Sequence, residues 1–400
     1  MTKIRVLFFL ITLVVVGSMG LFASYYARGY RLNIKTFKFQ PNGILVLKSE
    51  PDGASVYING ELKTATNASI SLSPGTYDVE VRRDGYFSWY KRLTIEKEIV
   101  TQATISLLKN APSLSPITSS GAVNPVMSED GSKIAYIVLP SKNIGSEKVG
   151  LWTLDTFSLP LGFGSGPKRI TDGDLTGAVY VFSPDNRQVL LTISNSVYLL
   201  DTGSFTAQNQ RVNIASKKDA TITSWASEKE NRDQILTRNL PPEIIDILTR
   251  KSSSFVFSPD GSMILYTASS SGTLPEGLTQ PLPGASTQRQ ERSVQNGHTY
   301  IYDIKEDRNF LITDQPITIG NDDSAKVSAL RWMSTSKHLL LAQEGQIVVM
   351  DYDGTNRQVI YSGSYFAPSA FPFTNTTKIL ILTNLGSPSG GANLYTLTVK

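Results

Sequence analysis

The sequence predicts an all-β protein behind one N-terminal transmembrane helix. Three observations carry that reading. Residues 6–27 form a charge-free apolar run, apolar and polar residues alternate from 43 onward, and a short strand ending in aspartate returns at a near-constant interval. Four hundred residues leave room for two or three domains, and 40% apolar with 18% charged residues is the make-up of a folded chain.

The apolar run comes first. As a helix it is long enough to cross a hydrocarbon core of roughly 30 Å. Lys3 and Arg5 precede it, and Tyr25, Tyr26 and Tyr30 mark its far end, where amphipathic rings favour the membrane interface. A cleavable signal peptide has a shorter apolar core with small residues at the cut. Ser18 and Gly20 offer a weak site of that kind, but the run continues past them. Residues 1–27 therefore read as an uncleaved signal-anchor, held in the lipid bilayer through 6–27. Arg28, Arg31, Lys35 and Lys38 follow the span, so flanking charge alone does not orient it. Residues 28–42 read as a juxtamembrane linker.

A small β domain is expected at 43–108. Ile44-Leu-Val-Leu-Lys48 is a strand, and Glu50-Pro51-Asp52-Gly53 is a turn in which Pro pre-sets φ and Gly takes positive φ. Ala54-Ser-Val-Tyr-Ile58 alternates and runs into Asn59-Gly60, a strong hairpin signal. Further strands are expected at 69–72, 76–81, 86–95 and 100–107, punctuated by Ser73-Pro74-Gly75 and Asp84-Gly85. The segments at 49–54, 56–60 and 72–77, with Gly85-Tyr86, resemble a PEGA domain. Asp52 stands where that family has Glu, and Thr64-Ala-Thr-Asn67 replaces its usual Gly-x-x-Pro. The resemblance implies a small β-sandwich, often a surface module near membranes, without catalysis. Tyr86, Phe87, Trp89 and Tyr90 cluster here, and their alternation points to core packing more than to a binding face.

From 112 to 400 the chain repeats. The strands ending at Asp155, Asp201, Asp303, Asp351 and Thr398 are separated by 46, 102, 48 and 47 residues. Each is preceded by a turn and a second strand, as in Phe182-Ser-Pro-Asp-Asn186 before 188–192 and Phe257-Ser-Pro-Asp-Gly261 before 263–266. A third strand follows, at 168–171, 211–214, 309–313 and 357–360. Four strands per unit of this length describe a β-propeller blade. The double interval calls for a further unit, with strands at 234–237 and 244–248 after a turn at 225–228, making six blades. The alternative is five blades with a helical insertion at 228–250, since Pro241-Pro242 can open a helix. Ser115-Pro-Ile-Thr118 is expected to pair with the last blade, removing an exposed edge. The Phe-Ser-Pro-Asp-Gly turns resemble TolB-like, WD40-like propeller repeats, which implies a binding platform, commonly for cell-envelope proteins. Residues 268–297 show no strand pattern and read as a long loop.

Chemistry is hard to find. Net charge is +4 with no basic run, so no nucleic acid partner is expected. Cysteine is absent, which removes disulfides and thiolate sites and suits an oxidising exterior as well as a cytosolic chain. His298 and His338 are the only histidines, with no H-E-x-x-H, G-x-S-x-G or P-loop. The glycine-rich stretch at 162–167 reads as a loop, and Asn321-Asp322-Asp323 as a solvated turn rather than a Ca²⁺ site. Asp155, Asp201, Asp303 and Asp351, like the aspartates of the Ser-Pro-Asp turns, read as turn caps rather than a carboxylate ring. No catalytic, cofactor-binding or metal residues are assigned, no cofactor is expected, and the binding residues are not legible. The expected function is non-catalytic: a membrane-anchored extracytoplasmic protein binding an envelope protein, peptide or glycan. The alternatives are a structural spacer of the envelope, or a hydrolase or lyase of the kinds propellers also host.

Overall fold

The structure, a computed structural model, describes residues 2–27, 30–33, 38–157, 166–280, 288–320, 328–374, 378–386 and 391–400. It divides into two compact units, Met1–Leu107 with Pro281–Gln288, and Leu108–Gln280 with Arg289–Lys400.

The first unit opens with α1, Thr2–Ala27, whose Ile4–Ala27 stretch of 24 residues is strongly apolar, with Arg5 its one charge, and wholly exposed. A two-stranded hairpin follows, Tyr30–Asn33 with Lys38–Pro41. Two sheets then pack as a sandwich. One orders Glu61–Ala65, Ser55–Ile58, Gly75–Arg82 and Trp89–Ile95; the other orders Ala68–Leu72, Gly43–Glu50 and Val100–Ser106. Gly43–Glu50 alternates strictly between buried and less buried residues. Its Leu45 and Leu47 meet Val56, Ile58, Val79 and Val81 from the facing sheet. Asn59 and Gly60 both take positive φ, as a two-residue hairpin turn requires. Glu61–Ala65, which the pattern did not reveal, is almost wholly exposed and so carries no alternation to read.

The second unit is a β-propeller. Its described residues hold five sheets of three to five strands and a two-stranded ribbon, Gly272–Thr273 with Ser293–Val294. The first blade runs Val123–Met127, Lys133–Val138, Gly150–Asp155 and Lys168–Asp172; the second Val179–Phe182, Gln188–Ile193 and Ser196–Asp201. The third runs Ser252–Phe257, Met263–Ala268, Thr299–Asp303 and Arg308–Thr313, and the fourth Ala329–Trp332, His338–Gln343, Gln346–Asp351 and Gln358–Ser362, with Thr318–Ile319 paired parallel to its inner strand. The fifth combines Ala370–Pro372, Lys378–Thr383 and Asn393–Thr398 with Ser113–Pro116. The last pairing was anticipated, and its register is Ser113↔Thr398 to Pro116↔Tyr395.

A blade buries both faces, which is why its second strand reads as an unbroken apolar run. Ile134, Tyr136 and Val138 pack toward the fifth blade, whereas Ala135 and Ile137 pack toward the second. Arg331 seals the junction of the fourth and fifth blades. Its guanidinium donates to Pro368 O and Ala370 O and stacks 4.7 Å from the Phe371 ring centre.

Three expectations need correction. The strands at 234–237 and 244–248 do not exist, and the turn at 225–228 is helical. Those residues fall in α2, Lys218–Thr237, and α3, Pro242–Arg250, so the segment is helical, as the alternative of an insertion at 228–250 had it. The reason is periodicity. Ile244, Ile247 and Leu248 are spaced for one helix face, and they bury with Leu240 against Ile264, Tyr266, Tyr300 and Tyr302 of the third blade. The strand expected at 211–214 reduces to one bridge, Tyr198↔Asn213. Arg211 lies instead 5.5 Å over the Tyr198 ring, and Asn213 accepts from Val197 N and Ala215 N. Within 268–297, Gly272–Thr273 pairs with Ser293–Val294, so the base of that loop is structured. Leu274 and Val294 there are buried. Residues 281–287 lie outside the described residues.

Candidate functional site

The aspartates of the repeat are structural. In each Ser-x-Asp turn the serine hydroxyl donates to the aspartate: Ser128 to Asp130 at 2.8 Å, Ser183 to Asp185 at 2.6 Å and Ser258 to Asp260 at 2.7 Å. The same carboxylates accept the N–H two residues on, from Ser132, Arg187 and Ser262. Burial pushes the Asp260 carboxyl up, but the donors from Ser262, Ser258 and Ser336 outweigh it and hold it at about 2. The strand-end aspartates do similar work. Asp201 accepts from Gly203 N, Asp303 from Lys305 N and Glu306 N, and Asp351 from Asn356 Nδ2. Asp155 instead pairs with Lys133 and Lys168.

The histidines do not form a site with each other. His298 stacks beside Tyr300. His338 is buried, with Nδ1 3.0 Å from Thr335 Oγ1 and Nε2 3.7 Å from Asp351 Oδ1. This hydroxyl–imidazole–carboxylate order was not legible in the sequence, because Asp351 meets His338 only across a hairpin. At 3.7 Å the carboxylate does not hydrogen-bond the ring as the orienting acid of a hydrolase triad does. Thr335 also accepts from Lys337 N, as Asp130, Asp185 and Asp260 accept in the first three blades.

Of the aromatic cluster in the sandwich, Trp89 is in the core, Tyr86 packs beside it and Tyr90 is exposed. Among the described residues no group of three His, Asp or Glu is placed to hold a metal. Asn321, Asp322 and Asp323 lie outside the described residues, as does most of 162–167. A buried ion pair fixes the base of the long loop: Arg292 Nη1 is 3.1 Å from Asp307 Oδ1, which also accepts from the Tyr302 hydroxyl at 2.8 Å. That pair is a fastening with no access for a ligand.

What remains is a surface. The inner strand of the fourth blade is buried at all four residues, but in the second blade Val179 is 66% and Val181 39% exposed. α2, none of whose residues is buried, is tied to the turns at the ends of the first two blades' inner strands. Its tether is polar: Arg232 Nη2 donates to Pro184 O at 3.0 Å, and Lys229 and Arg232 lie 3.4 and 3.8 Å from Glu129. Burial raises the Asp233 carboxyl on the same helix. Ile222, Ile235 and Leu236 of α2 face solvent. An exposed apolar strand of this kind can take part in binding. Sequence reading missed α2 because it has no apolar stripe to mark it as a helix.

Residues 42–111 match the family model of the PEGA domain. No curated protein matches the sequence. Among solved structures, the chain is 16% identical to TolB from Acinetobacter baumannii, covering 80% of this chain and 59% of that one, at a TM-score of 0.23. It is 10% identical to an oligogalacturonate lyase in complex with manganese, covering 84% and 81%, at 0.24. It is 11% identical to an acylaminoacyl peptidase from Pyrococcus horikoshii, covering 70% and 39%, at 0.21. Likeness at that level carries no activity across. The chain carries a PEGA domain at 42–111, and a β-propeller follows it.

Proposed function

We propose that this protein is a single-pass, membrane-anchored, extracytoplasmic binding protein of the cell envelope, non-catalytic, whose propeller holds an envelope protein, peptide or glycan. The anchor reading rests on one observation: α1 exposes apolar side chains along its whole length, Phe8, Phe9 and Met19 among them at 65–68%. In water that surface is unfavourable at about 25 cal/mol per Å², and a bilayer removes the cost. The non-catalytic reading is supported by the Asp and His residues described above, whose bonds fasten turns. Within this reading the anchor is 1–27, the linker 28–42, the sandwich 43–108 and the propeller 112–400.

The test is an affinity capture from detergent-solubilised native membranes with the tagged full chain as bait. A second bait replaces Val181 and Val179 with aspartate. One stoichiometric partner lost from the second bait supports the reading. A clean negative after cross-linking removes the binding function and leaves a spacer. Limited proteolysis tests the boundaries, with cuts expected in 28–42 and 108–112.

A further inference from the structure

We propose that the sandwich seats in the lipid interface through one corner of its three-stranded sheet, where Ile44, Val46 and Val100 meet; this rests on the anchor reading above. The outward positions of Gly43–Glu50 read Ile44, Val46, Lys48 and Glu50 in order. Those of Val100–Ser106 read Val100, Gln102, Thr104 and Ser106. The two strands run parallel, with Ile44 opposite Val100 and Glu50 opposite Ser106. The outer face of this sheet therefore changes from apolar to polar in one direction along its strands. Ile44 is 37% and Val100 54% exposed. Single exposed apolar residues are ordinary on a surface, but these two are neighbours at one end of a graded face.

The apolar end is the one nearest the span. α1 ends at Ala27 and the next strand begins at Tyr30, at most about 10 Å of chain further on. The Tyr30 ring meets Tyr25 of α1 edge-on at 5.2 Å, and its hydroxyl donates to Glu98 Oε1 at 2.7 Å. Glu98 N donates to Asn42 O, and Ile44 N donates to Ile99 O. The turn that Tyr30 holds is thus bonded to the start of the strand that carries Ile44, and Val100 directly follows that turn. Gly43–Glu50 has eight residues, so its polar end lies about 23 Å from the same corner. Amphipathic rings such as those of Tyr25 and Tyr30 favour the membrane interface, which puts the corner at headgroup depth. Glu96 and Lys97 are exposed in the same turn, and the cost of burying charge keeps the corner from sinking deeper. Continuity with the span, and a polarity gradient that runs away from it, single out the lipid interface as the occupant.

The chain has no cysteine, so a single introduced one takes a label. Lys97→Cys marks the proposed corner. Asp84→Cys marks the opposite end of the sandwich, since Gly75 pairs with Ile95 beside the corner and Gly75–Arg82 runs away from it. Each full-length variant, carrying an environment-sensitive fluorophore, is reconstituted into phosphatidylcholine vesicles with or without a spin-labelled lipid. The expected result is a blue-shifted emission, quenched by the spin-labelled lipid, at 97 and not at 84. It should persist in about 1 M salt, where charge screening shortens to about 3 Å. Ile44→Thr with Val100→Thr keeps β-branched residues on exposed strand positions. That double variant should lower the ratio of seated to free sandwich about ten-fold, and the quenching at 97 should fall with it. Quenching at 97 that survives the double variant comes from the tether alone, and quenching lost in salt comes from charge. Either result overturns this inference, and resistance to alkaline carbonate extraction then leaves the anchor standing. A chain that carbonate strips from the vesicles overturns the anchor reading and this one with it. The comparison of 97 with 84 leaves Ile44 and Val100 in place, so two labels that behave alike overturn the inference even where the double variant folds poorly.

Discussion

Ile247→Ala tests whether α3 stands where a sixth blade was expected. Ile247 is 2% exposed and packs in one cluster with Ile264, Tyr266 and Tyr300. The substitution deletes three carbons. At about 0.8 kcal/mol for each buried methylene the transfer loss is about 2.4 kcal/mol, and the cavity left behind adds to it. The expected cost is therefore about 3–4 kcal/mol, within the range for such deletions. The control is Asp246→Ala. A helix puts residue 246 on the solvent side, and Asp246 pairs there only with Arg250 and Lys251. A strand would put 244, 246 and 248 on one face and 247 on the other, reversing the two costs. The assay is urea unfolding of the detergent-solubilised chain by tryptophan fluorescence, with Trp152, Trp225 and Trp332 reporting the propeller and Trp89 the sandwich. Ile247→Ala should lower the propeller midpoint and leave the sandwich phase alone, while Asp246→Ala moves neither. Equal costs for the two variants, or less than about 1 kcal/mol for Ile247→Ala, would refute the helical packing.

Further outcomes follow from other contacts. Asp307→Ala strands the Arg292 guanidinium and the Tyr302 hydroxyl, and breaking a buried pair costs about 3–5 kcal/mol; thermal unfolding should show it, and Asp307→Asn should recover part because it keeps an acceptor and tolerates the positive φ of this residue. Asp260 is held at about 2, below its ordinary 3.8. Its ionised form is therefore favoured by folding, and its contribution is full above about pH 4 and fades as pH falls toward 2. Asp260→Asn should flatten that limb of an acid titration followed by circular dichroism. Gly43→Ala places a Cβ 2.2 Å from Glu96 O, where backbone must move. Overpacking of that kind costs about 1–3 kcal/mol, and the sandwich phase of the urea curve should shift while the propeller phase stays.

Regions where burial alternates along the strand could be read from the sequence. Gly43–Glu50 and Gly75–Arg82 bury every second residue toward their ends, and Asn59-Gly60 has the backbone that its residues demand. The propeller was legible in part because the same Ser-x-Asp bond closes three of its turns, at 128–130, 183–185 and 258–260, so a local hydrogen bond left a repeated mark in the sequence. The region 211–250 misled for a physical reason. Ile244, Ile247 and Leu248 are few, and a short apolar segment fits a strand or a helix until its partner surface is known. The exposed strand of the second blade was not legible at all. Val179 and Val181 look like core residues, yet they are exposed among the described residues, and no sequence pattern marks that difference.

The pairing of Ser113–Pro116 with Asn393–Thr398 has a consequence for how the propeller is made. A sheet whose outer strand precedes the first blade and whose other strands lie in the last cannot be finished until nearly the whole propeller has been synthesised. Contacts of such long sequence separation form late and slowly. Until then the nascent chain carries an open strand edge, which is a template for wrong pairing. On the anchor reading proposed above, a chain tethered by α1 and carrying that edge would wait beside a membrane rather than free in solution. Such tethering would limit encounters between unfinished copies, so the proposed anchor would also keep folding intermediates apart.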